Sequence, residues 1–160
     1  MKFLNKTECE SLIQRRLGSD TTDDVHALLN HRASLKLKDI DKFYLSNRIL
    51  STYRIILEEV DASDEYIAFF DNIGVWQSQN DGIFSRLLWK SYTNHSPIDR
   101  PGIVFTNIDF EKIYAFFCLS FYSGWDSTLI LDKSNWIFFS HDDYLLCKFE
   151  DKSIEDFLKK

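Results

Sequence analysis

Apolar residues recur at helical intervals in the first part of the chain. Across 39–60 they return every three or four positions, which predicts one long helix. The apolar stripe is broad, so we expect this helix to be buried on more than one side. Upstream, Thr7 and Glu10 have the spacing of a capping pair that begins a first helix, and a second helix is expected to begin near Thr22.

After position 60, short apolar runs separated by turn residues replace the long helical pattern. The expected elements, in chain order, are a strand at 66–70, a helix at 83–92, a strand at 103–105, a helix at 109–122, a hairpin of strands 128–131 and 136–139, a short strand or helical turn at 144–149 and a last short helix from 153. The order predicts an α+β fold in which an N-terminal helical arm precedes a small mixed β-sheet with helices, approximately β-α-β-α-β-β. We expect one domain over 1–160, with a helical part at 1–60 and an α+β core at 61–160.

The composition adds a large aromatic core to this picture. The 160 residues include 14 Phe, 7 Tyr and 4 Trp, and each such side chain can bury about 150–250 Å². Three widely spaced cysteines form neither a disulfide framework nor a zinc-ribbon pattern. We expect Cys118 and Cys147 to pack as small buried apolar residues.

The net charge of −6 is unevenly distributed. Residues 1–60 carry ten Lys/Arg against nine Asp/Glu, whereas residues 61–160 carry nine against sixteen. An acidic surface repels phosphate backbones, so we expect no general role in nucleic-acid binding. The same surface would attract a basic protein partner and accelerate its association.

No segment has the composition of a membrane anchor or a secretion signal. The nearly apolar run at 113–122 is too short to span a bilayer, and the first residues lack an apolar stretch of signal-peptide length. We therefore expect no membrane partner and a cytoplasmic location.

The most chemically suggestive stretch is Ser140-His141-Asp142-Asp143, directly after a predicted strand. The hairpin should bring Asp126 to the same place, so that Asp126, His141 and Asp142 form one polar cluster. Such a cluster could act as a base or hold a metal, but a metal needs further ligands that no other histidine motif supplies. The interpretation that we favour is a hydrogen-bonded strut that fixes the hairpin, with no cofactor and no metal.

A second set of residues has the character of a protein-binding surface. Tryptophan often dominates the binding energy of interfaces, although a tryptophan in a polar loop more often folds back onto the core. The residues predicted to bind a partner are Asp61, Asp64, Glu65 and Asp71, with Trp76 and Trp89 as anchors.

A set of short motifs in the second half resembles a group of small, uncharacterised bacterial proteins. The motifs are Gly74-Val75-Trp76 with Ser78 and Asn80, Arg86 with Ser91-Tyr92, Pro101-Gly102, Gly124-Trp125-Asp126 and Ser140-His141-Asp142-Asp143-Tyr144. They cover roughly half of the chain, from position 66 to 149. The size and acidity of the group are similar to those of immunity proteins of bacterial toxin systems, and the resemblance implies no catalytic residue.

Three functional hypotheses follow from the sequence. The first is a protein-binding domain of the immunity type, which inhibits a basic toxin through an acidic face that contains aromatic residues. The second is a small metal-dependent hydrolase that uses Asp126, His141, Asp142 and Asp143. The third is a structural subunit that oligomerises through the long helix. Because no nucleophile elbow, phosphate-binding loop or zinc-protease helix is present, we expect a binding protein rather than an enzyme.

Overall fold

The computed structural model describes residues 1–18, 24–38, 42–59, 64–73, 87–140, 142 and 144–159. Seven strands form one sheet: β1 (Lys2–Leu4), β2 (Leu35–Leu37), β3 (Tyr66–Asp71), β4 (Gly102–Phe105), β5 (Asp126–Ile130), β6 (Trp136–Phe139) and β7 (Leu145–Lys148). The helices are α1 (Lys6–Arg16), α2 (Val25–Arg32), α3 (Lys42–Glu59), α4 (Phe110–Tyr122) and α5 (Lys152–Lys159). Residues 87–90 are also helical, and a 3-10 turn at Asn107–Asp109 precedes α4.

The α+β class predicted from the sequence is confirmed. The strand order is β1-β4-β3-β5-β6-β7-β2, and every described pair is antiparallel, so the sheet is not mixed. The predicted hairpin is present, since β5 pairs with β6 across the turn at 131–135. Short connections of this kind permit only antiparallel neighbours, because a parallel pair needs a crossover of a dozen or more residues.

The N-terminal part is integrated into the sheet, which corrects the prediction of a helical arm. Its two strands, β1 and β2, form the two opposite edges of the sheet. Each has only three residues, which is too short for a period-of-two pattern to stand out from the sequence. Short edge strands also leave little unpaired backbone for another sheet to join.

Helices cover both faces of the sheet. Successive side chains of a strand point to opposite faces, and on β3 Phe69 packs in the cluster with α1 and α2 while Phe70 packs in the cluster with α3, α4 and α5. We call these faces the α1/α2 face and the α3/α4/α5 face. Burial on both sides explains why β3 and β6 are almost continuously apolar.

The first helix begins earlier than the sequence indicated. Asn5, and not Thr7, is the N-cap, because its side-chain oxygen accepts a hydrogen bond from the Glu8 backbone at 2.9 Å. Glu8 returns the bond by accepting from the Asn5 backbone at 2.9 Å. Further along, Cys9 lies so close to Gly102 that a Cβ at position 102 would be 2.6 Å from the Cys9 side chain. Glycine at 102 therefore allows α1 to approach β4.

The long helix α3 packs inside its own chain. Tyr53, Ile56 and Leu57 are buried in the core of the α3/α4/α5 face, and the Tyr53 ring stacks on Phe117 with 4.1 Å between ring centroids. The broad apolar stripe predicted for this helix is therefore used, over these positions, in contacts within the chain.

A buried carboxylate joins α5 to the sheet. Glu155 Oε1 accepts hydrogen bonds from the Phe149 backbone at 3.1 Å, from Lys152 Nζ at 3.1 Å and from the Ser34 hydroxyl. Burial alone would raise the pKa of Glu155, but these three donors and the charge of Lys152 outweigh burial and lower it. The ionised form is thus the one that the folded chain stabilises.

We expect Glu155→Gln to lower the free energy of unfolding by about 1–3 kcal/mol at neutral pH, because a charged hydrogen-bond acceptor is lost. A pKa lowered on folding contributes stability above the ordinary glutamate pKa, and this contribution is lost as the pH falls through the folded-state value. Urea denaturation at several pH values should therefore show that the difference in the free energy of unfolding between this variant and the unmodified chain becomes smaller in acid. Glu150→Gln, at an exposed position, is the control and should change little; equal effects would contradict the role of Glu155.

Candidate functional site

One end of the sheet brings together the polar residues that the sequence singled out. Asp71 at the end of β3 pairs directly with Asp126 at the start of β5, and both lie on the α1/α2 face by strand alternation. The register that sets Ser127 opposite Phe139 brings Asp126 to the same end as Ser140. We call this end of the sheet, with Asp71, Asp126, Ser140 and Tyr144, the polar end.

Each of the two opposed aspartates receives a hydrogen bond that offsets their mutual repulsion. Like charges directly opposite one another destabilise a pair of strands. Here Lys6 Nζ donates to Asp71 Oδ2 at 2.6 Å, and Asn72 Nδ2 donates to Asp126 Oδ2 at 2.6 Å. Burial alone would lower the pKa of Lys6, but the hydrogen bond and the charge of Asp71 raise it. The lysine therefore stays charged beside the pair.

Asn72 adopts a left-handed backbone conformation with φ of 52°. Outside glycine, asparagine and aspartate enter this region most readily. The conformation turns the chain at the end of β3 and directs the side-chain amide onto Asp126. Asn72 therefore acts as a hydrogen-bonded strut of the polar end. The strut of Asp126, His141 and Asp142 that the sequence favours stays a prediction, because His141 lies outside the described residues.

The turn after β6 continues the polar end toward β7. The Asp142 backbone donates to the Ser140 hydroxyl at 3.2 Å, and the Ser140 backbone donates to the Tyr144 carbonyl at 2.9 Å. Burial raises the pKa of the Tyr144 phenol, the nearby charges of Asp126 and Asp142 add to the rise, and a hydrogen bond with Ser140 opposes it. Tyr144 is thus held as a neutral donor.

The structure describes only two of the four residues that the hydrolase hypothesis uses. Asp126 is buried and Asp142 is exposed, whereas His141 and Asp143 lie outside the described residues. Among the residues that the structure does describe, no group of three His, Cys, Asp or Glu side chains could hold a metal ion. A catalytic or metal-binding role for His141 stays a prediction.

Replacement of Asn72 tests the strut. We expect Asn72→Ala to lower the free energy of unfolding by about 1–3 kcal/mol, because a charged hydrogen bond is lost, together with about 1 kcal/mol from the left-handed backbone. Asn72→Gly loses the same amide, but glycine adopts the left-handed backbone without strain. This variant should therefore be more stable than Asn72→Ala by about 1 kcal/mol. Denaturant titrations of both variants measure the difference, and an unchanged midpoint for Asn72→Ala would contradict the strut.

The opposite end of the sheet carries a concentration of carboxylates. The antiparallel register sets the start of β3, the turn between β5 and β6, and the end of β7 side by side. We call the exposed acids of these loops the acidic rim: Asp64, Glu65, Asp132, Glu150 and Asp151. Lys133 is the one basic residue among the described positions 64–65, 131–135 and 149–151.

Two rim residues also organise their own loops. Asp132 accepts hydrogen bonds from the Ser134 backbone at 2.6 Å and the Asn135 backbone at 2.9 Å. Hydrogen bonds from the backbone and side chain of Ser153 lower the pKa of Asp151. For the other rim residues, the described part of the chain supplies no ion pair, so their charges face solvent.

An apolar groove opens beside the rim, between α3 and α5. Its cavity volume is about 290 Å³, and its lining residues are Thr52, Ile55, Asp151, Ser153, Ile154 and Phe157. Ile55 is 43% exposed and Phe157 is 40% exposed. The Thr52 hydroxyl is buried and has no hydrogen-bond partner among the described atoms. The groove thus combines exposed apolar side chains with a rim aspartate.

The structure corrects two of the predicted partner-binding residues. Trp89 is fully buried, with its ring centroid 4.4 Å from that of Phe116 and its Nε1 donating to the Arg100 carbonyl at 3.2 Å, so it is a core residue and not a surface anchor. Asp71 is at the opposite end of β3 from Asp64 and Glu65. Asp71 therefore does not belong to the same surface as Asp64 and Glu65, and its charge is paired with Lys6.

The remaining predictions divide between exposed residues and undescribed ones. Asp64 and Glu65 are exposed, as a partner-binding role requires. Asp61 and Trp76 lie outside the described residues. Sequence reasoning missed the contributions of Asp132, Glu150 and Asp151 to the same surface, and the turn composition of the hairpin was the only signal that could have suggested the first of them.

The three thiols are unsuited to nucleophilic chemistry. Burial raises the pKa of Cys147 to about 12 and also raises the pKa of Cys9 and Cys118. A protonated thiol is a poor nucleophile and a poor metal ligand. Cys147 packs in the core as predicted, while Cys118 is half-buried.

None of the described helices is both long and apolar enough to cross a bilayer. Comparison of the chain with models of protein families, with characterised proteins and with solved structures gives no significant match.

Proposed function

We propose that the chain is a protein-binding domain of the immunity type, which holds a basic protein partner at the acidic rim and in the groove beside it. The observation that carries the proposal is the convergence of Asp64, Glu65, Asp132, Glu150 and Asp151 at one end of the sheet, next to an apolar groove. The occupant is a basic segment of the partner that presents one apolar side chain to the groove.

Charge complementarity supports a basic occupant. Exposed charges of one sign raise the rate of encounter with a partner of the other sign, and salt screens the effect over about 8 Å at physiological ionic strength. The net charge of −6 acts in the same direction as the rim. Arg and Lys side chains of the partner would meet carboxylates that have no competing ion pair among the described residues.

The groove supports an apolar anchor at the centre of the contact. Binding energy at interfaces concentrates in a few apolar or aromatic side chains that lose their water, surrounded by a polar rim. Phe157 and Ile55 offer such a surface, and Asp151 connects it to the acidic rim. The stretch 66–149 resembles a group of small bacterial proteins whose size and acidity are similar to those of immunity proteins, and this likeness favours a toxin as the partner.

Neutralising the rim should slow association. We expect Asp64→Asn/Glu65→Gln to reduce the association rate with the partner by roughly three- to tenfold at low salt, because electrostatic steering is weakened. The partner is captured from extracts of the native host at low salt, eluted at high salt and purified. Stopped-flow or surface-based kinetics at several salt concentrations then measure the rate, and the difference should disappear at high salt.

The control removes two charges elsewhere on the surface. Asp99→Asn/Glu10→Gln alters the net charge equally but leaves the rim intact. A captured protein supports the proposal only if the rim variant binds it more slowly than this control does. Equal reductions of the association rate in the two variants would mean that overall charge, and not the rim, causes the effect. A complex that persists at high salt would contradict binding through the charges of the rim.

Truncation of Phe157 should accelerate dissociation. We expect Phe157→Ser to weaken the complex by about 2 kcal/mol, or roughly 30-fold in Kd, because an aromatic anchor leaves the groove. The matched control is Ile98→Ser, at a position that is 66% exposed and away from the groove. Circular dichroism confirms that both variants fold. An unchanged dissociation rate for Phe157→Ser would exclude the groove from the interface.

A further inference from the structure

A cleft on the α1/α2 face, separate from the proposed protein interface, has two lysines in its lining. It lies where α2 approaches β7 and the edge strand β2, and its cavity volume is about 380 Å³, within the range of about 300–1,000 Å³ usual for small-molecule sites. Its principal lining residues are His26, Asn30, Lys36, Lys38, Tyr144 and Leu146.

The outer wall of the cleft is basic. Lys36 lies on the strand that begins with Leu35, Lys38 follows the last residue of that strand, and both line the cavity. Lys36 pairs with Leu146, whose side chain packs on the α1/α2 face. Neither lysine has an ion pair or hydrogen bond with any residue that the structure describes. Two ammonium groups thus face a cavity in a chain of net charge −6.

The inner wall is aromatic and held in place. The ring of Phe138 lies 4.8 Å from that of His26 and 5.6 Å from that of Tyr144, measured between centroids. Leu146 forms an apolar floor, and Asn30 lies one helical turn after His26 on the same side of α2. A flat apolar group can rest on this wall while a charged group reaches the lysines.

We infer that this cleft binds a small organic phosphate that carries a ring. Lysine is a common phosphate ligand that acts as a point charge, and two of them match the double charge of a phosphate monoester. The ring would pack between Tyr144 and His26 above Leu146. Asn30 is in position to donate an amide hydrogen to the phosphate or to a polar substituent of the ring.

Calorimetric titration of the full chain with phenyl phosphate tests the inference. We expect saturable binding with one site, and weaker binding of inorganic phosphate because the ring wall is then unused. Lys36→Met/Lys38→Met, which retains most of the aliphatic length, should raise the Kd about tenfold or more. The matched control, Lys90→Met/Lys133→Met, removes two exposed lysines elsewhere and should leave the Kd within about twofold.

Three results would overturn the inference. They are no detectable binding of phenyl phosphate at millimolar concentration, equal weakening in the two lysine pairs, and inorganic phosphate binding as tightly as the phenyl ester. The last of these would remove the ring from the ligand and reduce the cleft to an adventitious ion site.

Lysine on an edge strand also hinders pairing with other sheets, so the lysine substitutions could promote association of the chain. A second variant therefore tests the cleft with both lysines in place. Ala27 lines the cleft at an exposed position on α2, so Ala27→Glu places a carboxylate in the cavity without disturbing the core. We expect this variant to abolish binding, whereas Ser51→Glu, at an exposed position on α3, should not. Retained binding by Ala27→Glu would locate the ligand elsewhere. Neither substitution changes a residue of the acidic rim. Failure of the phosphate site and failure of the proposed protein interface can therefore be distinguished.

Discussion

Coverage of both faces of one antiparallel sheet is the constraint on which the rest of this structure depends. The middle strands bury almost every side chain, with Phe69 on one face and Phe70 on the other. Hydrophobic burial scales with the apolar area removed from water, and this sheet can be covered only if helices from both halves of the chain are used. The N-terminal helices are therefore part of the core and not an appendage.

The same constraint determines where polar chemistry can occur. A strand buried on both faces leaves charged residues only at its ends or at the edges of the sheet. Asp71 and Asp126 take one end, where Lys6 and Asn72 offset their repulsion. The acidic rim takes the other end, and the two cleft lysines take the edge. The rim presents carboxylates and the cleft presents two lysines, so two different ligands can be proposed for the molecule.

The sequence predicted the polar end through the hairpin, but it did not predict which aromatic residues are buried. The hairpin prediction brought Asp126 to the Ser140 end, as the observed register requires. Trp89 is predicted to be a surface anchor because tryptophan often dominates interfaces, but its ring is buried against Phe116 and Phe70. The acidic rim could be recognised only in part, since Glu150 and Asp151 come near Asp64 through strand pairing.

The sequence by itself determined the α+β class, most of the helices and strands, the hairpin and the acidic character, because periodicity, turn residues and charge are local properties. Tertiary structure alone decided that Lys2 pairs with Val104 and Leu35 with Cys147, which makes the N-terminal segment both edges of the sheet. It also decided that Asn72 holds Asp126 and that Lys36 and Lys38 face a cleft. Such contacts join residues far apart in the chain, and their energies depend on burial and register that no local pattern specifies.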